Sequence, residues 1–264
     1  MKHMKRTVTA LTVAGLLIGA LLALRNYASE TVQLHVVKPV VIALAFLAQL
    51  EFSQMTAKKY PILVWPGVIA GAVYLVSVFY GYDNCLAPIV FALAVTALFS
   101  KTDRPIAAFA TTVLGIVYIP MMLAYLFWVP LRPGAFDLMW LFYILAIVKI
   151  SDMGGFAFGV TLGKHKMCPA ISPNKSWEGM AGSVFASCLI SAAFIPFTHF
   201  GVVKALAFGV AAAVTGTLGD LVESRVKREC GVKDSATFMP AGMGGFLDMV
   251  DSLVFAPALL HSFL

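Results

Sequence analysis

Long apolar runs, separated by short polar connections, make up most of the chain. They cover approximately residues 8–24, 36–50, 62–80, 86–99, 106–129, 136–158, 180–197, 202–219 and 246–264. A helix perpendicular to a bilayer needs about 20 apolar residues to cross it. The pattern therefore predicts an all-α polytopic membrane protein with about nine transmembrane helices, several of them short. Lys2, Lys5 and Arg6 ahead of the first run fit the start of a signal peptide. That run is long for a signal segment and more spans follow, so a retained first helix is expected. Pro61, Pro105 and Pro130 fall at span ends, where a missing N–H matters least. Pro120 falls inside a span and predicts a kink.

Orientation follows from the basic residues, which concentrate on the cytoplasmic side of membrane proteins. With the N-terminus in the cytoplasm, nine alternating spans place most of the 19 Lys and Arg there. These are Lys2, Lys5, Arg6, Lys58, Lys59, Lys101, Arg104, Lys164, Lys166, Lys175, Arg225, Lys227, Arg228 and Lys233. Arg25, Lys38, Arg132 and Lys204 fall opposite, and Lys149 falls within a span.

Composition agrees with this reading. The chain is 60% hydrophobic and 12% charged, where soluble domains average about 25% charged. No long polar stretch exists to form a second domain. One membrane domain over residues 1–264 is expected, with 1–135 as scaffold and 136–264 carrying the chemistry. The net charge of +6 fits basic cytoplasmic loops, and nucleic-acid binding is not expected. Cys85, Cys168, Cys188 and Cys230 form no CxxC pair and read as packing residues. The five histidines have no metal-ligand spacing, and no phosphate-binding P-loop pattern occurs.

Two polar stretches stand out. Residues 215–253 hold six of the 13 acids, Asp220, Glu223, Glu229, Asp234, Asp248 and Asp251, with Arg225, Lys227, Arg228 and Lys233. Charges beside apolar spans are costly unless paired, solvated or bound to an ion. If 218–228 is helical, Asp220, Ser224 and Lys227 share a face. Asp248 and Asp251 share one if the last helix starts near Phe246. Two carboxylates so spaced suit Mg²⁺, which takes a few carboxylates together with substrate phosphates. Gly242, Gly244 and Gly245 allow close backbone approach, and the helix start offers N–H groups to an anion. The second stretch, 151–179, combines Asp152, several glycines, the cluster Lys164-His165-Lys166 and Ser172-Pro173-Asn174-Lys175-Ser176-Trp177. Acids for a metal and bases for phosphate point to phosphoryl or nucleotidyl transfer. The competing reading is a solvated juxtamembrane loop with its charges paired, and Glu223 and Glu229 taken singly read that way. Glu51, at the end of the second span, is equally consistent with an interfacial charge.

At these residues the chain resembles the phosphatidate cytidylyltransferase (CDP-diacylglycerol synthase) family. The matching positions are Ser224-Arg225-Val226-Lys227-Arg228, Lys233-Asp234, Pro240, Gly244-Gly245, Asp248 and Asp251. Upstream, Ser151-Asp152, Gly159, Gly163 to Lys166 and Ser172 to Gly179 match as well. The resemblance covers about the last 115 residues. It implies CTP and phosphatidate as substrates, CDP-diacylglycerol and pyrophosphate as products, and a membrane homodimer with contacts in the N-terminal half. It also implies a divalent metal, usually Mg²⁺, and allows a monovalent cation such as K⁺. The expected setting is a bacterial inner membrane, with the site facing the cytoplasm. Asp220, Asp248 and Asp251 are the expected metal ligands and, with Lys227, the catalytic set. Ser172, Lys175, Ser176, Ser224, Arg228, Lys233, Asp234, Gly244 and Gly245 are the expected substrate contacts. Met243 and Met249 depart from the family, which often has His and Arg there. A thioether supplies neither charge nor a hard-metal ligand. A CTP-dependent polyprenol or phytol kinase, and more remotely an ion-coupled transporter, remain the alternatives.

Overall fold

A computed structural model describes residues 30–128, 137–235 and 245–264. The predicted first span, Pro130, Arg132, Pro240, Gly242, Met243 and Gly244 lie outside the described residues. The described chain is helical apart from one hairpin. In order, it contains α1 (Glu30–Thr56), α2 (Val64–Phe79), α3 (Leu86–Leu98), α4 (Pro105–Ile116), α5 (Met122–Trp128), α6 (Leu138–Thr161), β1 (Lys166–Cys168), β2 (Ser172–Ser176), α7 (Trp177–Ala193), α8 (Ile195–Thr198), α9 (Val202–Glu229), α10 (Phe246–Val250) and α11 (Ala256–Phe263).

Four stretches are long and apolar enough to cross a membrane: His35–Thr56, Pro105–Trp128, Leu138–Thr161 and Val202–Glu229. Val64–Phe79 and Leu86–Leu98 are apolar but shorter. The kink expected at Pro120 is a π-helical turn, Val117–Met121, between α4 and α5. A proline ring displaces the preceding turn's carbonyl, and one wider turn absorbs the displacement. The stretch expected to be a single last span is divided. Helix α10 stops after five residues, a turn follows, and α11 begins at Ala256 with Pro257 in its first turn.

Helix α9 runs ten residues past the predicted end of its span, so Asp220 to Arg228 continue a membrane-length helix. Its last residue, Glu229, accepts hydrogen bonds from Lys59 Nζ at 2.5 Å and Tyr60 Oη at 2.7 Å. The end of α9 and the connection after α1 therefore lie on one side of the molecule, as the charge pattern predicts.

Small residues set how closely α6 and α7 approach. A Cβ at Gly182 would stand 2.6 Å from the Gly154 carbonyl oxygen, so the two backbones touch. In lipid such close packing is a main source of helix association. Buried polar groups join the third helix of this unit. Ser191 Oγ donates to the Ala205 carbonyl at 2.6 Å, and Tyr143 Oη lies 2.7 Å from the same Oγ. With the serine proton committed, the tyrosine is the donor. Helices α6, α7 and α9 are thus locked together beneath the polar stretch. Gln49 Nε2 donates to the Gly67 carbonyl at 2.9 Å and fixes α1 on α2.

Candidate active site

The antiparallel hairpin β1–β2 pairs Lys166 with Ser176 and Cys168 with Ser172. It lays Ser172 to Ser176 beside the end of α6 and the Thr217–Asp220 stretch of α9. Ser176 then caps α7, its Oγ accepting from Gly179 N at 3.1 Å. Glu178, in the first turn of α7, accepts from His165 Nδ1 at 2.6 Å and from His165 N at 3.2 Å. The His165 side chain is the first cause holding that carboxyl down at about 2. These bonds fix the hairpin's position relative to α7.

A cavity of about 430 Å³ opens between the hairpin, α6, α7, the end of α9 and the start of α10. Its walls carry Lys149, Asp152, Phe156 and Gly159 from α6, and Ser172, Asn174, Lys175 and Ser176 from the hairpin. Gly179, Met180 and Ser183 come from α7, and Thr217 and Asp220 from α9. Asp248, Asp251 and Ser252 close it. A site of this volume suits a nucleotide-sized ligand.

Charges are paired along its floor. Lys175 Nζ lies 2.6 Å from Asp220 Oδ2 and donates to the Thr217 carbonyl at 3.2 Å. Ser224 Oγ donates to Asp220 Oδ1 at 3.3 Å. Lys227, one turn further on, is buried and bridges Glu223 and Asp248 Oδ1, the latter at 2.5 Å. Asp248 Oδ2 accepts from Gly245 N at 2.6 Å and from Ser235 N at 3.2 Å. Asp248 therefore has both carboxylate oxygens engaged, by an ammonium and by two backbone N–H groups.

Three carboxylates converge beside this pair. Single oxygens of Asp220, Glu223 and Asp251 lie within 4.8 Å of one another. Glu223 is 1% exposed, and its Oε1 has no hydrogen-bond partner among the described residues. Its Oε2 is held only through the ammonium of Lys227. Three hard oxygens with an orphaned buried lone pair fit a divalent cation such as Mg²⁺, which takes oxygen ligands and keeps open positions for substrate.

The structure thus brings together Asp220, Asp251, Lys175, Ser172, Ser176, Ser224, Lys227, Asp248 and Gly245 of the expected residues. Gly244 lies outside the described residues. Arg228, Lys233 and Asp234 do not line the cavity. Arg228 Nη1 donates to the Val232 carbonyl at 3.0 Å, while Lys233 and Asp234 are exposed in the turn after α9. Glu223 stands in the carboxylate group where Asp248 was expected, and Asp248 is occupied by Lys227 and two backbone N–H groups. The signal for Glu223 was its spacing, three residues after Asp220 and four before Lys227, on the same helix face.

Glu51 is also part of the assembly. It is fully buried on α1, and its Oε2 accepts from Leu247 N at 3.0 Å and Ser235 Oγ at 3.3 Å. A Cβ at Gly245 would stand 2.3 Å from that oxygen, so a side chain there would have to displace the Glu51 carboxylate.

The family model described as the cytidylyltransferase family matches residues 4–264. A protein of Staphylococcus aureus (strain COL) named phosphatidate cytidylyltransferase is 43% identical over 124 residues, 46% of this chain and 47% of that protein. One of Mycobacterium bovis with the same name is 47% identical over 119 residues, 44% of this chain and 38% of that protein. One of Mycobacterium tuberculosis (strain H37Rv) is likewise 47% identical over 119 residues, covering 35% of its length. The matched stretch spans about half the length, or less, of these curated relatives.

Proposed function

Since the chain belongs to the cytidylyltransferase family, whose model spans residues 4–264, we propose that it transfers the cytidylyl group of CTP to phosphatidate. The products are CDP-diacylglycerol and pyrophosphate. The observation that carries this reading is the union of two motifs around one cavity. Carboxylates Asp220, Asp248 and Asp251 and the cation Lys175 line it, with the buried Glu223–Lys227 pair directly behind them. Metal ligands beside phosphate-neutralising lysines are what phosphoryl chemistry requires.

In this reaction an oxygen of the lipid phosphate forms a bond to the α-phosphorus of CTP. The bond from that phosphorus to the bridging oxygen breaks, and the electron pair leaves with pyrophosphate. A phosphate monoester is already an anion near neutral pH, so the chain needs no strong general base. Its work is positioning and charge neutralisation. Lys175, Ser172 and Asn174 on the hairpin meet the nucleotide's phosphates. Asp248 orients Lys227 and ties it to the start of α10. A divalent ion held by Asp220, Glu223 and Asp251 would neutralise charge on the triphosphate.

The same reading places the hairpin and the cavity mouth on the cytoplasmic side of a bacterial inner membrane, with nine crossings, a cytoplasmic N-terminus and a homodimeric assembly. The basic residues of the hairpin and of the end of α9 support that orientation.

The test is product identity with purified full-length protein, CTP and Mg²⁺. Phosphatidate is expected to yield one CDP-diacylglycerol and one pyrophosphate per CTP, read by mass spectrometry and a pyrophosphate assay. Diacylglycerol and long-chain prenols should yield nothing. Formation of CDP and a newly phosphorylated lipid would replace this reading with a lipid kinase.

A further inference from the structure

Of the two lysines that line the cavity, Lys149 is the more loosely held. Lys175 is engaged by Asp220 and the Thr217 carbonyl, and Lys227 by Glu223 and Asp248. Lys149 lines the same cavity, yet its ion-pair partner, Asp152 Oδ2, is 3.9 Å away. Its side chain is 51% exposed. Asp152 itself already accepts from Ser252 Oγ at 3.2 Å.

The position of Lys149 is what makes it informative. It stands near the middle of α6, between Leu138 and Thr161, roughly 16–18 Å from either end at 1.5 Å per residue. Its sequence neighbours Ile147, Val148 and Ile150 are apolar. A cation within a membrane-length helix is retained where it meets a cavity or an anion. Lys149, Asp152, Phe156 and Gly159 all line the cavity and share one face of α6, spanning roughly 15 Å. The Gly159 end meets the hairpin and Lys175. The Lys149 end lies further along the span. The exposed apolar residues of α6 between Lys149 and Gly159 include Met153 at 55%, four residues from Lys149, and Phe156 at 71%, which lines the wall itself. One end of the cavity therefore suits a water-soluble triphosphate. The other presents a cation beside an apolar surface.

We propose that Lys149 binds the phosphomonoester headgroup of the lipid substrate and sets the preference for an anionic lipid over a neutral one. This deepens the cytidylyltransferase reading, on which its kinetic part rests. The ammonium donates to the lipid phosphate from the α6 side while Lys175 and Lys227 hold the nucleotide side. Binding and kinetics test it together, on full-length protein in detergent. The variants are Lys149→Arg, which keeps the charge, and Lys149→Gln and Lys149→Met, which remove it. The binding probe is dioctanoyl phosphatidate against dioctanoylglycerol, without CTP, by calorimetry.

Either neutral variant should weaken phosphatidate binding about tenfold or more, the loss of one charge-assisted contact. The KM for phosphatidate should rise by a similar factor, the KM for CTP should stay within about twofold, and Lys149→Arg should largely restore both. Unchanged phosphatidate binding in a folded neutral variant would overturn the proposal and make Lys149 a counter-charge for Asp152 alone. So would equal rises in both KM values in all three variants. Wild-type protein that binds phosphatidate through Lys149 but forms no CDP-lipid would sink the cytidylyltransferase reading and leave the headgroup site standing. CDP-lipid formation with Lys149-independent binding would do the reverse.

Discussion

At the residue scale the site separates two kinds of acid. Asp220, Glu223 and Asp251 converge with an orphaned oxygen on Glu223, whereas both oxygens of Asp248 are occupied by Lys227, Gly245 and Ser235. This division predicts different kinetic signatures. Glu223→Gln and Asp251→Asn should raise the Mg²⁺ concentration needed for half-maximal activity, and each should lower kcat by about 10²–10³-fold. Asp248→Asn should lower kcat at least as much while leaving the Mg²⁺ dependence unchanged. That protein should still insert and purify, because Lys227 keeps Glu223 as a partner. A Mg²⁺ titration of the three variants decides it. A shifted midpoint in Asp248→Asn would return that residue to the metal. The distinction was not legible in the sequence, where Asp248 and Asp251 are equally good ligands by spacing. What separates them is a backbone N–H at Gly245 and a lysine on another helix, and both depend on tertiary packing.

At the scale of elements, α10 is short and derives its position from what it touches. Five residues form no stable helix alone. Glu51 on α1 accepts from Leu247 N and Ser235 Oγ and thereby holds the start of α10 against the bundle. Glu51→Ala leaves these buried donors unpaired, at a cost of about 1–3 kcal/mol. Glu51→Gln keeps an acceptor and should lose less. Thermal unfolding in detergent, together with activity, should rank wild type above Gln above Ala. Gly245→Ala drives a Cβ into Glu51 and Ser235 and should cost about 1–3 kcal/mol through overpacking. A variant as stable as wild type would contradict the close approach. Most of the described helices were legible, because an apolar run of bilayer length has few other solutions. The hairpin was not. Residues 166–176 carry two lysines, two prolines and no alternating apolar positions, and their pairing is fixed by Ser176 capping α7 and by Glu178 holding His165. The broken last span was also hidden, since apolar residues continue on both sides of the turn before Pro257 that divides it.

On the scale of the whole molecule, the charged end of α9, the connection after α1 and the hairpin lie together, as shown by the Glu229 contacts with Lys59 and Tyr60 and by the Lys175–Asp220 pair. The proposed orientation places that face in the cytoplasm and the turn at Gly81 and the connection at Gly201 on the opposite side. Single cysteines in a cysteine-free background, probed with a membrane-impermeant maleimide on spheroplasts, should label at positions 81 and 201. Position 165 should label only after the membrane is opened. Labelling of 165 in intact spheroplasts would invert the topology. The charge pattern carries this orientation because Lys and Arg distribute asymmetrically across the bilayer whatever the helices pack against; of it, the structure bears out that the connection after α1 and the end of α9 share one side.

The most direct test of the central claim follows the phosphorus atoms of CTP. Purified protein is given phosphatidate and Mg²⁺ with CTP labelled at either the α or the γ phosphate, and label is counted in the extracted lipid. The account predicts α label in lipid, dependent on both phosphatidate and the metal, and γ label only in pyrophosphate. Label from the γ position in lipid, with none from the α position, would contradict it.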